Sequence, residues 1–278
     1  MHALTWAFSV CFLSMISRTA SAEMHRDVRY ASPGGMPLAL DASIPEGDGP
    51  FPAAILVHGG GWVRGDKRVE VEPLFKPLSD AGIAWFSINY RLAGSALQFG
   101  AAIDDVENAI RFVKAHAADY RVDPDRIALI GESAGGQLAA MAALGGDPAL
   151  AVKTVVALYT PADLVSLVGD SDLIPPQIRD AIQGTPFRAI ILARLSQLSP
   201  IDNVRPGMPP FLFIHGTADR LVPFEQSEAM CARMKTVGAS CEVFPVEGAG
   251  HGMRRWDSSA YKREMIRWLK DHLFAGIV

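Results

Sequence analysis

From Phe51 onward the chain alternates short apolar runs with longer amphipathic ones, and few folds accept that rhythm. A strand apolar on both faces must be covered twice, which is what helices do on the two sides of a parallel sheet. Pro52 to His58 (PAAILVH), Ile83 to Tyr90 (IAWFSINY), Ile127 to Ile130, Thr154 to Tyr159, Phe211 to His215 and Cys241 to Val246 read as the strands. Leu74 to Ala81, Ala102 to His116, Gly135 to Leu144, Gln226 to Val237 and Lys262 to Leu273 read as the helices between and after them. In the second of these, Ile103, Val106, Ile110 and Val113 recur at helical spacing; in the last, Met265, Trp268 and Leu269 face inward. Asp123-Pro124-Asp125-Arg126 reads as a turn before its strand, and residues 26 to 45 as an antiparallel hairpin turning at Pro33-Gly34-Gly35. Residues 165 to 206 break the rhythm and read as a small helical insertion, helical near Phe187 to Leu195. The expected class is α/β: a mostly parallel twisted sheet with helices on both faces.

With 278 residues, such a domain buries roughly three quarters of its unfolded surface and needs no metal or dense disulfide staple. Thirty acidic and 26 basic side chains leave a net charge of -4 with no basic stripe, which argues against nucleic acid as a partner. Basic residues gather at Arg254, Arg255, Lys262, Arg263 and Arg267, interrupted by acids as on a solvated helix face. Residues 1 to 22 read as an export signal: an apolar stretch from Leu4 to Ile16, then the small-x-small pattern Ala20-Ser21-Ala22. The stretch is shorter than the ~20 residues that span a bilayer, so no stable membrane insertion is expected. The domain then runs over 23 to 278, in the periplasm or outside the cell; a start at Met24, which leaves the protein cytosolic, is the other reading. Cys11 follows Val10, too large a residue for a lipidation signal.

Removal of the signal leaves Cys231 and Cys241. Descending a helix from Cys231 at ~1.5 Å per residue and returning three residues along a strand at ~3.3 Å each brings the sulfurs level. A disulfide is expected in an oxidising compartment; two buried thiols are the alternative.

Gly131-Glu132-Ser133-Ala134-Gly135 lies between an expected strand and an expected helix, the context of a nucleophile elbow. A serine on so tight a turn needs small neighbours two positions away, and the helix N-terminus favours developing negative charge. A serine hydroxyl needs a base, and the base an orienting acid. Asp219 in HGTADRLVP and His251 in GAGHGM each follow a strand, on the side of a parallel sheet where ligands bind. His215 suits packing at a strand end, and Asp163 and Asp202 suit helix or turn caps. His58-Gly59-Gly60-Gly61-Trp62 also follows a strand. Its glycines let backbone amides approach an oxyanion, so the N–H groups of Gly60, Gly61 and Ala134 are the candidate oxyanion hole. His58 is expected to brace this loop. The run lacks the Lys-Ser/Thr of a phosphate loop.

Together HGGGWVRGDK, INYRLAG, AAIDDVENAIRFV, DPDRIALIGESAGG, FLFIHGTADRLVP and GAGHGM resemble the secreted HGGGW-type carboxylesterases. Within the α/β-hydrolase superfamily they resemble the feruloyl esterase and acetylesterase (BD-FAE-like) branch near the hormone-sensitive-lipase group. The resemblance covers residues 50 to 255. It implies Ser133, Asp219 and His251 as the triad, Gly60 and Gly61 in the oxyanion loop, and a structural pairing of Arg91 with Asp104 or Asp105. Residues 94 to 102 (GSALQFGAA) depart from relatives that carry a proline beside the phenylalanine, which bears on an entrance near Phe99.

The expected chemistry is two-step acyl transfer on small or carbohydrate-linked esters of acetyl or feruloyl type, with no cofactor and no metal. The insertion, with Ile190, Ile191 and Leu192, either shapes the pocket or packs. Three other readings stand beside it. An arylformamidase-like amide hydrolase shares the loop and triad but works inside cells. A prolyl-oligopeptidase-type peptidase needs a propeller for which 278 residues leave no room. A non-catalytic binding protein on this scaffold typically loses a triad residue, and here each position is filled.

Overall fold

The computed structural model describes residues 22–94, 100–170, 176–256 and 259–275. Residues 1–21 of the expected export signal, and Phe99, lie outside the described residues. Strands β1 (Glu23–Ala31) and β2 (Leu38–Ile44) form the expected antiparallel hairpin around a single turn at Pro33–Gly35. There follow β3 (Phe51–Val57), α1 (Glu72–Asp80), β4 (Ala84–Ile88), α2 (Gly100–Ala115), β5 (Val122–Glu132), α3 (Ala134–Leu144) and β6 (Thr154–Leu158). Helices α4 (Leu164–Asp170), α5 (Pro176–Gly184) and α6 (Arg188–Gln197) occupy the interruption in the rhythm. The chain closes with β7 (Phe211–Gly216), α7 (Glu225–Lys235), β8 (Cys241–Val246) and α8 (Ala260–Leu273).

The eight strands lie in the order β1-β2-β4-β3-β5-β6-β7-β8. Strand β2 runs antiparallel to β4, and every pairing from β4 to β8 is parallel. This is the α/β-hydrolase arrangement. Alternation along β3 shows why its run had to be apolar throughout. Ala53, Ile55 and Val57 pack with Val106, Ile110 and Val113 of α2, Leu138 of α3 and Met230 of α7. Ala54 and Leu56 pack on the other face with Leu74 and Leu78 of α1 and Met265, Trp268 and Leu269 of α8.

The turn expected at Asp123–Arg126 is instead an irregularity inside β5. Phe51 pairs with Val122 and Ala53 with Ile127, so more residues lie on β5 than on β3 between those pairs. Asp123 closes the bulge, its carboxylate accepting the Asp125 N–H at 2.9 Å and Arg126 Nε at 2.7 Å. The disulfide Cys231–Cys241 is formed between α7 and β8, with Cα atoms 5.6 Å apart. Gly238 follows α7 at φ +74°, a left-handed conformation that glycine adopts without steric cost. In α6, Ile190 is 67% exposed and Ile191 and Leu192 are half-buried, so Ile190 packs against nothing that covers it.

Candidate active site

Strand β5 ends at Glu132 and α3 starts at Ala134, leaving one residue for the turn. Ser133 takes φ 50°, ψ -121°, a conformation that costs a non-glycine residue about 1 to 3 kcal/mol. Its surroundings hold it there: the Ser133 N–H donates to Leu158 O at 2.9 Å, and Ser133 O accepts from Gly136 N–H at 3.0 Å. The demand for small neighbours is met with nothing to spare. A Cβ on Gly131 would stand 2.3 Å from Gly135 O, and one on Gly135 2.2 Å from Val57 O.

The histidine loop after β8 brings His251 Nε2 to 2.9 Å from Ser133 Oγ and His251 Nδ1 to 2.7 Å from Asp219 Oδ2. A carboxylate only accepts, so Nδ1 carries the proton and Nε2 is left to accept from the Ser133 hydroxyl. The Asp219 side chain is fully buried and that of His251 is 17% exposed. Asp219 Oδ1 accepts the N–H groups of Leu221 and Val222 at 2.9 and 3.0 Å. Burial pushes the Asp219 carboxyl up, but hydrogen bonds from His215, His251 and the Val222 amide outweigh it and hold the group well below the usual range.

His215 is the packing histidine that its strand end suggested, with a role the sequence did not disclose. Fully buried, it accepts from Ser227 Oγ at 2.7 Å through Nδ1 and donates from Nε2 to Val222 O at 2.9 Å. The same Nε2 lies 3.4 Å from Asp219 Oδ2, so Asp219 faces two histidines. Of the competing acids Asp163 is a cap, its Oδ1 accepting the N–H groups of Val165 and Ser166, whereas Asp202 caps no backbone and accepts from Ser196 Oγ.

The glycine loop after β3 carries φ +117° at Gly60 and +62° at Gly61. A Cβ on Gly60 would stand 2.1 Å from Arg64 O, so the loop closes on itself only with glycine there. Among the described residues the N–H groups of Gly60, Gly61 and Ala134 have no protein acceptor. His58 braces the loop from within, its Nδ1 2.7 Å from Gly59 O and its ring stacked on Tyr90 at 4.3 Å. Burial pushes the His58 imidazole down, which keeps it neutral. Trp62 holds the other end at φ +66°, its Nε1 donating to Gln137 Oε1 at 2.9 Å while Gln137 Nε2 donates to Leu198 O at 2.7 Å. Arg91 pairs with Asp105 rather than Asp104, its guanidinium on both carboxylate oxygens of a fully buried side chain.

Sequence reasoning gave no role beside the triad and glycine loop to Glu132, Tyr159 and Gln137, and none beyond packing to His215, which contact Gly59, His251, Trp62 and Asp219. Only Glu132 left a signal, an acid at the end of an otherwise apolar run. Among the described residues no group of three or more His, Cys, Asp or Glu could hold a metal ion, and no helix is long and apolar enough to cross a membrane.

The chain is similar to known esterases in sequence and fold. A model of the BD-FAE family matches residues 40–234, a span that contains Ser133 and Asp219 and stops short of His251. Esterase LipQ of Mycobacterium tuberculosis is 34% identical over 199 residues, which cover 68% of this chain and 47% of LipQ. The chain spans about half the length of the curated relatives it matches. Among solved structures, Thermogutta terrifontis esterase 2 with butyrate bound is 26% identical with a TM-score of 0.69, over 93% of this chain and 94% of its own. A truncated carbohydrate esterase from gut microbiota is 26% identical with a TM-score of 0.74, over 93% of this chain and 98% of its own.

Proposed function

The chain belongs to the BD-FAE family, and from that premise we propose that it is a serine carboxylic-ester hydrolase with Ser133 as nucleophile, His251 as base and Asp219 as acid. The observation that carries this reading is the unbroken run of hydrogen bonds from Ser133 Oγ through the His251 ring to Asp219 Oδ2. His251 Nε2 takes the hydroxyl proton as Ser133 Oγ attacks the ester carbonyl, and Asp219 stabilises the imidazolium. The oxyanion rests on the N–H groups of Gly60, Gly61 and Ala134, each worth roughly 3 to 4 kcal/mol in the transition state. The protonated His251 gives its proton to the leaving alcohol. Water then repeats the sequence on the acyl-enzyme and frees the acid.

The substrate class we propose is small or carbohydrate-linked esters with short acyl or feruloyl groups. Support comes from the butyrate held by one structural neighbour and the carbohydrate esterase named for the other. Export to the periplasm or beyond belongs to the same proposal, and a disulfide between Cys231 and Cys241 is in keeping with an oxidising compartment.

The test is hydrolysis of p-nitrophenyl acetate, butyrate and octanoate, acetylated xylan, methyl ferulate and N-formylkynurenine by purified protein. Ester cleavage is expected, falling at least ~1,000-fold in Ser133→Ala. Cleavage of N-formylkynurenine alone would replace the ester reading with the amide one. Silence across the panel from folded protein would sink both.

A further inference from the structure

Glu132 is a buried carboxyl that acyl transfer leaves without a task. It precedes the nucleophile and is 6% exposed. Its Oε1 accepts the Gly59 N–H at 3.0 Å, from the glycine loop. Its Oε2 accepts from the Tyr159 hydroxyl. That hydroxyl oxygen in turn accepts the Met253 N–H at 3.3 Å, two residues beyond His251. The Tyr159 ring meets the His251 ring edge-on at 4.8 Å. Tyr159 holds this place at φ +39°, a strained value for a non-glycine residue. One carboxyl thus fastens the elbow to the glycine loop on one side and to the histidine loop on the other.

The groups that face this centre come from every surrounding segment. Glu70 from the stretch after β3 pushes the Glu132 carboxyl up, as does burial, the larger cause; the Tyr159 hydroxyl, the Gly59 N–H and His251 pull it down, and the net direction is up. Tyr90 after β4 and Tyr261 of α8 stand within electrostatic reach of Glu132 and Tyr159 respectively. Beyond His251 lie Asp219 and His215. A carboxyl so placed costs stability, and its two contacts each end on a loop that acyl transfer needs.

We propose that Glu132 is a positioning residue which, through Tyr159, fixes the glycine loop and the His251 loop in register and whose negative charge favours the imidazolium formed in each transition state. The inference rests on the Ser133–His251–Asp219 reading. Opposite charge near an imidazole raises its proton affinity. Removing that charge therefore shifts the acid limb of kcat/KM to lower pH while lowering the plateau, a pair of changes that loss of packing alone does not produce.

Glu132→Gln keeps an oxygen for Gly59 and removes the charge. With p-nitrophenyl acetate, kcat is expected to fall about tenfold with KM within about twofold, and the acid limb to move down by roughly half a pH unit. Tyr159→Phe keeps the ring on His251 and cuts the bridge; kcat is expected to fall several-fold at unchanged KM, and this variant carries the test if Glu132→Gln does not fold. The Ser133→Ala control separates the inference from the reading beneath it: activity lost there but unchanged in kcat and acid limb in Glu132→Gln would overturn this proposal alone, whereas activity retained in Ser133→Ala would overturn the reading it rests on.

Discussion

Glu132 and Asp219 are both buried carboxyls beside His251, yet their surroundings push them in opposite directions. Asp219 gains more from two histidines and an amide than it loses to burial, so its folded-state value lies below the ordinary one. Its stabilising contribution is present above the unfolded carboxylate value, near ~3.9, and is lost as pH falls through the lower folded value. Glu132 is raised. Its contribution is fully present below the unfolded value, near ~4.3, and is lost as pH rises through the raised one. At pH 8 Glu132 is therefore a net cost to the fold, and Glu132→Gln is expected to unfold at an equal or higher temperature than the parent. Calorimetry at pH 8 checks this; a large drop in Tm would mean that the charge supports the fold as well.

The α7–β8 hairpin carries the one covalent cross-link among the described residues. Cys241 opens β8, and His251 follows the far end of the same strand, so the link and the proposed chemistry lie at opposite ends of that strand. Closing a loop of this length stabilises a fold by about 2 to 3 kcal/mol in the chain-entropy account. Cys231→Ser with Cys241→Ser is expected to lose about that much in urea unfolding while kcat stays within about twofold. A large loss of activity in the folded double variant would show that α7 strain reaches Asp219, which lies just upstream of the helix. The element also explains a length: the strand Cys241–Val246 matched expectation at both ends because Gly238 and the Glu247-Gly248 turn punctuate it.

At the scale of the whole molecule, the two cores lie on the two faces of the sheet, and the β1–β2 hairpin sits at its edge. An ionic knot ties that hairpin to the end of the glycine loop. Lys67, only 3% exposed, lies 2.7 Å from Asp27 and 3.3 Å from Asp41, and Arg68 contacts both carboxylates. Hydrogen bonds from Lys67 and Arg68 pull the Asp27 carboxyl down to about 2. Asp41 is pushed up by burial and pulled lower still by Arg68, the Asp27 amide and Lys67, for a net lowering. Both carboxyls are depressed, so the knot is intact above ~4 and weakens as pH falls towards 2. Asp41→Ala removes one partner of a buried cation and is expected to cost about 3 kcal/mol at pH 7. The deficit should shrink on acidification. Urea midpoints for parent and variant at pH 7 and pH 3 test this; an equal deficit at both would assign the loss to packing.

The sequence by itself determined the sheet, the helices that cover it, and the order in which Ser133, Asp219 and His251 occur. Each is written in local terms: apolar runs with no polar face, helical spacing in α2 and α8, and glycines flanking a serine where nothing larger fits. Only the tertiary structure decided that Asp123–Arg126 is a bulge within β5, that Arg91 takes Asp105, that Ile190 faces solvent, and that Glu132, Tyr159, His215 and Gln137 buttress the site. Apart from His215, which lies four residues from Asp219, their partners are distant along the chain: Glu132 lies 73 residues from Gly59 and Gln137 lies 75 from Trp62. A hydrogen bond between such residues leaves no period and no motif in the sequence. It exists because parallel strands bring their C-terminal ends, and the loops that leave them, to one end of the sheet.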